Sequence, residues 1–127
     1  MGSTFSKICE ELKYTKCEKC LKKYAILIEY LSFVEVTIQQ GHYSETLNYL
    51  GDFVRTLGDL VSTNCISKST RDFVLDEMRT LKNILRDRRK IATTEARIIY
   101  SEYLRLKSAC TEDLFGIIPE LCRKMCK

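Results

Sequence analysis

Apolar residues recur at intervals of three and four along almost the whole chain, and nowhere do they alternate with period two between turn signals. That pattern predicts helices and no strands. A short amphipathic segment runs from Lys7 to Lys13, with Ile8 and Leu12 four apart. Thr15-Lys16-Cys17-Glu18 then reads as a capping box, a hydroxyl and a carboxylate three residues apart. The helix it opens is expected to run to Gln39 or Gln40 and to stop at Gly41, the usual residue for a left-handed cap. Leu21, Tyr24, Ile28 and Leu31 form its main stripe. Ile26, Leu27, Tyr30, Phe33 and Val34 make it apolar almost all round, which suits a central helix or one that offers a face to a partner.

A second helix is expected from Ser44 to about Ser62. Leu47, Leu50, Val54, Leu57 and Val61 form a heptad seam, flanked by Phe53 and Leu60. Gly51 and Gly58 lie beside it seven residues apart, where close approach of another helix would compensate their poor helix propensity. Asn64 to Ser69 reads as a loop, and Ser69-Thr70-Arg71-Asp72 as the next capping signal. Val74, Met78, Leu81 and Leu85 line the third helix, with Phe73 and Ile84 beside them. Its end is basic, as the helix dipole favours. Thr93-Thr94-Glu95 caps a fourth helix whose stripe is Ala96, Ile99, Tyr103, Leu106 and Cys110; a break between the third and fourth is expected although no Gly or Pro marks it. Thr111-Glu112-Asp113 starts a short segment ending at Gly116, and Pro119 suits the first turn of a last helix carrying Leu121, Cys122, Met125 and Cys126. The fold class these elements imply is all-α, a bundle of four main helices with short terminal helices, mostly antiparallel, in a single domain over residues 1–127.

The N-terminus adds a candidate modification. Met1-Gly2-Ser3-Thr4-Phe5-Ser6 fits the myristoylation signal, with the acyl chain on Gly2. Met-Gly-Ser is also a frequent cloning remnant. One myristoyl chain binds membranes only marginally, so a second signal is expected. Cys9 is a candidate for palmitoylation, and residues 1–14 form the candidate acylated, membrane-proximal segment. Lys7, Lys13, Lys16, Lys19, Lys22 and Lys23 are candidates for contact with acidic lipid. In organisation the chain resembles a retroviral matrix protein, on Met1–Ser6 and the lysines to Lys23; that resemblance implies a compact helical domain held at a membrane surface.

Charge is segregated. Residues 1–24 carry six Lys against three Glu, residues 25–66 carry Arg55 against five acids, and residues 67–110 carry eleven bases against six acids. A bundle with basic and acidic faces follows, the basic ones suited to membrane or nucleic acid and the acidic one to a basic partner. Arg86, Arg88, Arg89 and Lys90 are the candidate nucleic-acid contacts, interrupted by Asp87 and without a helix-turn-helix or RNA-binding signature. The expected partners are a membrane surface and a protein partner, or a second copy meeting it through apolar helix faces, with nucleic acid as an alternative.

Seven cysteines admit three readings. Cys17 and Cys20 with Cys122 and Cys126 would make a four-thiolate structural zinc site if the chain ends meet, although the Gly-bearing knuckles of such sites are missing. A disulfide framework would put the protein in an oxidising compartment. The third reading, preferred on the sequence, makes the cysteines small buried hydrophobes, since Cys17 and Cys20 share the face of Leu21 and Tyr24. No apolar stretch of 7–15 residues opens the chain as in a signal peptide, so an intracellular protein at the cytoplasmic face of a membrane is expected, with a secreted one as the alternative. His42 is the one histidine, and neither a nucleophile elbow nor a glycine-rich phosphate loop occurs. The expectation is a non-enzymatic, membrane-tethered adaptor without a cofactor. The alternatives are a secreted disulfide-bonded helical ligand or effector, a nucleic-acid binder and a viral matrix-like protein.

Overall fold

The computed structural model describes the backbone of residues 2–114 and the side chains of residues 18–111. In order, the elements are α1 (Gly2–Gln39), α2 (Tyr43–Ser62), α3 (Lys68–Arg86), α4 (Arg88–Thr93) and α5 (Ala96–Ser108), the last continued by a π-helical turn, Ala109–Leu114. The described residues contain no strand. The architecture is an all-α bundle of four main helices and one short one, as the periodicity implies.

The first departure is at the N-terminus. The expected short helix and the capping box at Thr15 merge into one helix of 38 residues. No Gly or Pro lies between Ser3 and Gln40, so nothing in that stretch obliges the chain to leave the helix. At 1.5 Å per residue α1 is about 57 Å long, nearly twice the length of α2.

Gly41 ends α1 as expected, with φ of 74°. Its N–H donates to the Ile38 carbonyl at 3.1 Å and that of His42 to the Thr37 carbonyl at 2.8 Å. These are the two bonds of a Schellman motif. The same motif recurs at the end of α2 without glycine. Asn64 takes φ of 60°, the Asn64 N–H donates to Val61 and the Cys65 N–H to Leu60, at 3.0 and 2.8 Å. Asn tolerates this conformation better than other residues with a Cβ.

The core runs along α1 through Cys20, Leu27, Leu31, Val34 and Ile38. Tyr24 and Ile28 flank this line, whereas Leu21, Ile26 and Phe33 are 46%, 45% and 39% exposed. The buried face is thus turned from the expected stripe, because apolar residues all round gave periodicity no clear maximum. On α2, Leu50, Phe53, Leu57 and Leu60 are fully buried, while Leu47, Val54 and Val61 are only half-buried. The expected seam is split lengthwise, and Phe53 and Leu60 take the core positions. Gly51 and Gly58 give no close helix contact within the chain: a Cβ at either would meet nothing within 4 Å.

The third helix buries Val74, Met78, Leu81 and Leu85 as expected. Its cap is Ser67, two residues earlier than expected, whose Oγ accepts from the Thr70 N–H at 3.1 Å. The break before the fourth main helix is made by Asp87. Its carboxylate accepts from the N–H groups of Arg89 and Lys90, at 2.9 and 3.3 Å, and starts α4. An aspartate in an otherwise continuous basic stretch therefore does what Gly or Pro would do elsewhere. Glu95 occupies the N-cap of α5 without a capping hydrogen bond from its side chain, which pairs with Arg97 instead. Ile99, Tyr103, Leu106 and Cys110 are buried there, and Ala96 is exposed. The segment expected from Thr111 is instead the π-helical continuation of α5. The helix expected from Pro119 lies outside the described residues.

Two interfaces fix the directions. A short turn reverses the chain between α1 and α2, and Phe33 packs on Tyr49 with ring centroids 5.1 Å apart. Tyr100 and Tyr103 meet Glu35, and the Cys110 carbonyl meets Tyr24. Later residues of α5 and its continuation thus touch earlier residues of α1, so the two run antiparallel.

Candidate interaction surface

The chemistry of the described residues concentrates in three places. The first is a disulfide between Cys20 and Cys65, with Cα atoms 5.6 Å apart. The left-handed turn at Asn64 directs Cys65 back onto α1, so the motif that ends α2 also places the sulfur. Both residues are 1% exposed. Cys20 is thus buried as its place in the sequence predicts, but bonded rather than a thiol. Of the zinc set the sequence offers as one of three readings, Cys17, Cys20, Cys122 and Cys126, Cys20 is the member with a described side chain, and it is bonded to Cys65. The side chains of Cys17, Cys122 and Cys126 lie outside the described residues, and among the described residues no group of three or more His, Cys, Asp or Glu is arranged to hold a metal. Sequence spacing favours the pair Cys17 and Cys20; the pairing partner, 45 residues away, becomes visible only with the hairpin.

The second place is Glu35. Its two carboxylate oxygens accept from the hydroxyls of Tyr100, at 2.9 Å, and Tyr103, at 3.0 Å. Lys107 lies 3.9 Å away. The hydrogen bond to Glu35 holds the Tyr100 hydroxyl above its ordinary pKa, and burial, followed by the bond to Glu35, raises that of Tyr103. Tyr24 donates to the Cys110 carbonyl at 3.0 Å, and burial pushes its hydroxyl up to about 12. All three phenols are therefore protonated donors at neutral pH, and they tie α5 to α1. The carboxylate at the centre of this cluster is not singled out by the sequence, since Glu35 is one of five glutamates on α1. A cleft of about 310 Å³ opens beside Tyr100, lined also by Ile38, Gln39, Ala96 and Arg97. Among the described residues its lining contains neither a nucleophile–base pair nor a metal-ligand set.

The third place is the basic surface. Arg86, Arg88, Arg89 and Lys90 are all exposed, but they straddle the Asp87 break, so one helix does not present them together. Lys19 and Lys22 are exposed on α1 and Lys23 is half-exposed, with Lys22 paired to Glu18 at 3.2 Å. Gly2, Lys7, Cys9, Lys13 and Lys16 fall on the α1 backbone, with side chains outside the described set. His42 sits exposed in the turn, 4.0 Å from Glu45. Among the described residues no helix is long and apolar enough to cross a membrane.

No family model matches the chain, and no curated protein or solved structure matches it either.

Proposed function

We propose that the protein is a non-enzymatic helical ligand or effector that works in an oxidising compartment and acts by binding another protein. The buried Cys20–Cys65 bond carries this reading. A disulfide closing so large a loop in a small domain persists where thiols are oxidised. The apolar strip of Leu47, Val54 and Val61, left half-buried along α2, supports a binding role. The test is to take the protein from the cells that make it, block thiols at lysis and count them in each fraction. Five or fewer reactive thiols of the seven, in protein from the secretory pathway or medium, are expected. Seven thiols in cytosolic protein overturn the reading.

A second reading is the membrane-tethered adaptor acylated on Gly2, with Cys9 and the N-terminal lysines as further anchors. The exposure of Lys19 and Lys22 on α1 favours it. Intact mass of the same preparation decides it: loss of Met1 with a gain of about 210 Da supports acylation. An unmodified N-terminus removes it.

A further inference from the structure

α2 and α3 enclose a cleft of about 370 Å³ lined by Val54, Leu75 and Met78 and, along α3, by Arg79, Lys82, Asn83 and Arg86. The two walls differ in a way that specifies an occupant. On α3 the cations stand three and four residues apart, so they form one row along the helix. Arg79 is paired with Asp76 at 2.9 Å, but both side chains are well exposed, and such pairs contribute little. Among the described residues Lys82 and Arg86 stand in no ion pair. The acids of α2, Glu45, Asp52 and Asp59, lie nine, two and five residues from Val54, on the other side of that helix. The cleft is therefore lined by positive charge alone.

On the α2 side the cleft is lined by Val54, which belongs to an apolar strip. Leu47, Val54 and Val61 repeat every seven residues and stay half-buried after the chain has folded. Gly51 and Gly58 lie three and four residues from Val54, so they border the same strip, and space beyond both is open. Each glycine costs a helix interior up to about 1 kcal/mol, with no contact inside the chain to offset it. A heptad ridge, a smooth flank and a parallel row of cations together match one shape, a helix with apolar heptads and acidic flanks.

We infer that the α2–α3 groove receives an acidic amphipathic helix of a partner protein, which lies over Val54 between Gly58 and the Arg79–Lys82–Arg86 row. This names the surface used in the proposed binding function and rests on that function, not on the compartment. Charge argues against the chain's own residues 115–127 as occupant, since they carry Arg123, Lys124 and Lys127 against Glu120.

The probe is a synthetic peptide of three heptads, about 21 residues, with Leu at the seam and Glu on both flanks, and a counterpart with Lys for each Glu. Fluorescence anisotropy is measured on the oxidised full chain, its disulfide verified by thiol count so that a failed groove and a failed disulfide reading are told apart. The acidic peptide should bind and the lysine peptide should not. Affinity should fall at least about tenfold in Arg79→Glu/Lys82→Glu/Arg86→Glu, and clearly as salt rises from about 50 to about 300 mM. Gly58→Leu should abolish close approach while keeping the helical circular dichroism and a Tm at or above that of the wild type, because the site is open and Leu favours the helix. The inference is overturned if folded wild-type protein ignores the acidic peptide, or if both variants bind it as wild type does. Binding to phosphatidylserine vesicles in place of the peptide, or a dimer that buries Gly58, overturns it as well.

Discussion

The α1–α2 hairpin and the α3–α5 half reach their positions by different means. In the hairpin, both helix ends close in left-handed turns, at Gly41 and Asn64, and a covalent bond joins Cys65 to Cys20. Its described buried residues are apolar apart from Thr37, Thr46 and Thr56, and the hydroxyls of Thr37 and Thr46 meet at 2.7 Å. The second half has side-chain caps at Ser67 and Asp87 and rests on α1 through tyrosine hydroxyls. One half is locked by its own connections and the other by what it leans on. Register in the hairpin is therefore local, and register in α5 depends on α1 being in place.

Breaking the bond should have the largest effect. Closing a loop of 45 residues restricts the unfolded chain by about 4 kcal/mol. Cys65→Ala, or full reduction, should lower denaturant stability by roughly 2–4 kcal/mol in equilibrium unfolding. An unchanged midpoint would mean that apolar packing alone sets the hairpin. Gly41→Val should cost about 1–2 kcal/mol, since a β-branched residue must take a positive φ there. Equal stability would show that the turn relaxes. In the other half, Asp87→Ala removes the acceptor for two N–H groups and should cost about 1 kcal/mol. Faster amide exchange confined to α4 and its neighbours is the expected signature, with α1 and α2 unaffected. Tyr103→Phe should cost about 1 kcal/mol by removing one donor to Glu35 while Tyr100 still supplies another.

The seam between the halves has a pH signature. Burial raises the Tyr24 hydroxyl to about 12, against about 10 in an unfolded chain. The unfolded state loses its proton first as pH rises. The stability that Tyr24 contributes is thus complete below pH about 10 and declines between about 10 and 12. Tyr24→Phe should flatten that decline in denaturation curves taken across the window; an unchanged slope would assign it to other groups.

Legibility in the sequence followed the same division. The third helix was readable residue by residue, because Val74, Met78, Leu81 and Leu85 stand against a strongly charged opposite face. The face of α1 was not, because apolar residues all round leave the choice of buried side to its neighbours. Leu21 and Cys20 are adjacent in sequence, yet one is 46% exposed and the other 1%. Asp87 reads in the sequence as an interruption in a basic cluster, when its extended backbone ends one helix and its side chain starts the next. The candidate surfaces fared less well still. A disulfide partner, a carboxylate shared by two phenols and a groove between helices are properties of tertiary packing, and no local spacing encodes them. Gly51 and Gly58 stand out in the sequence for their cost to the helix, but their open side faces away from the rest of the chain.

The burial of the Cys20–Cys65 bond bears on how the protein would age and how it is made. Both cysteines precede α3, so the loop can be closed once the first hairpin has formed, before the second half has docked. With both sulfur-bearing residues 1% exposed in the finished bundle, a small reductant reaches the bond only when the bundle opens. The rate of its reduction is then a clock for that opening, and the bond outlasts changes in its surroundings for as long as the fold stays shut.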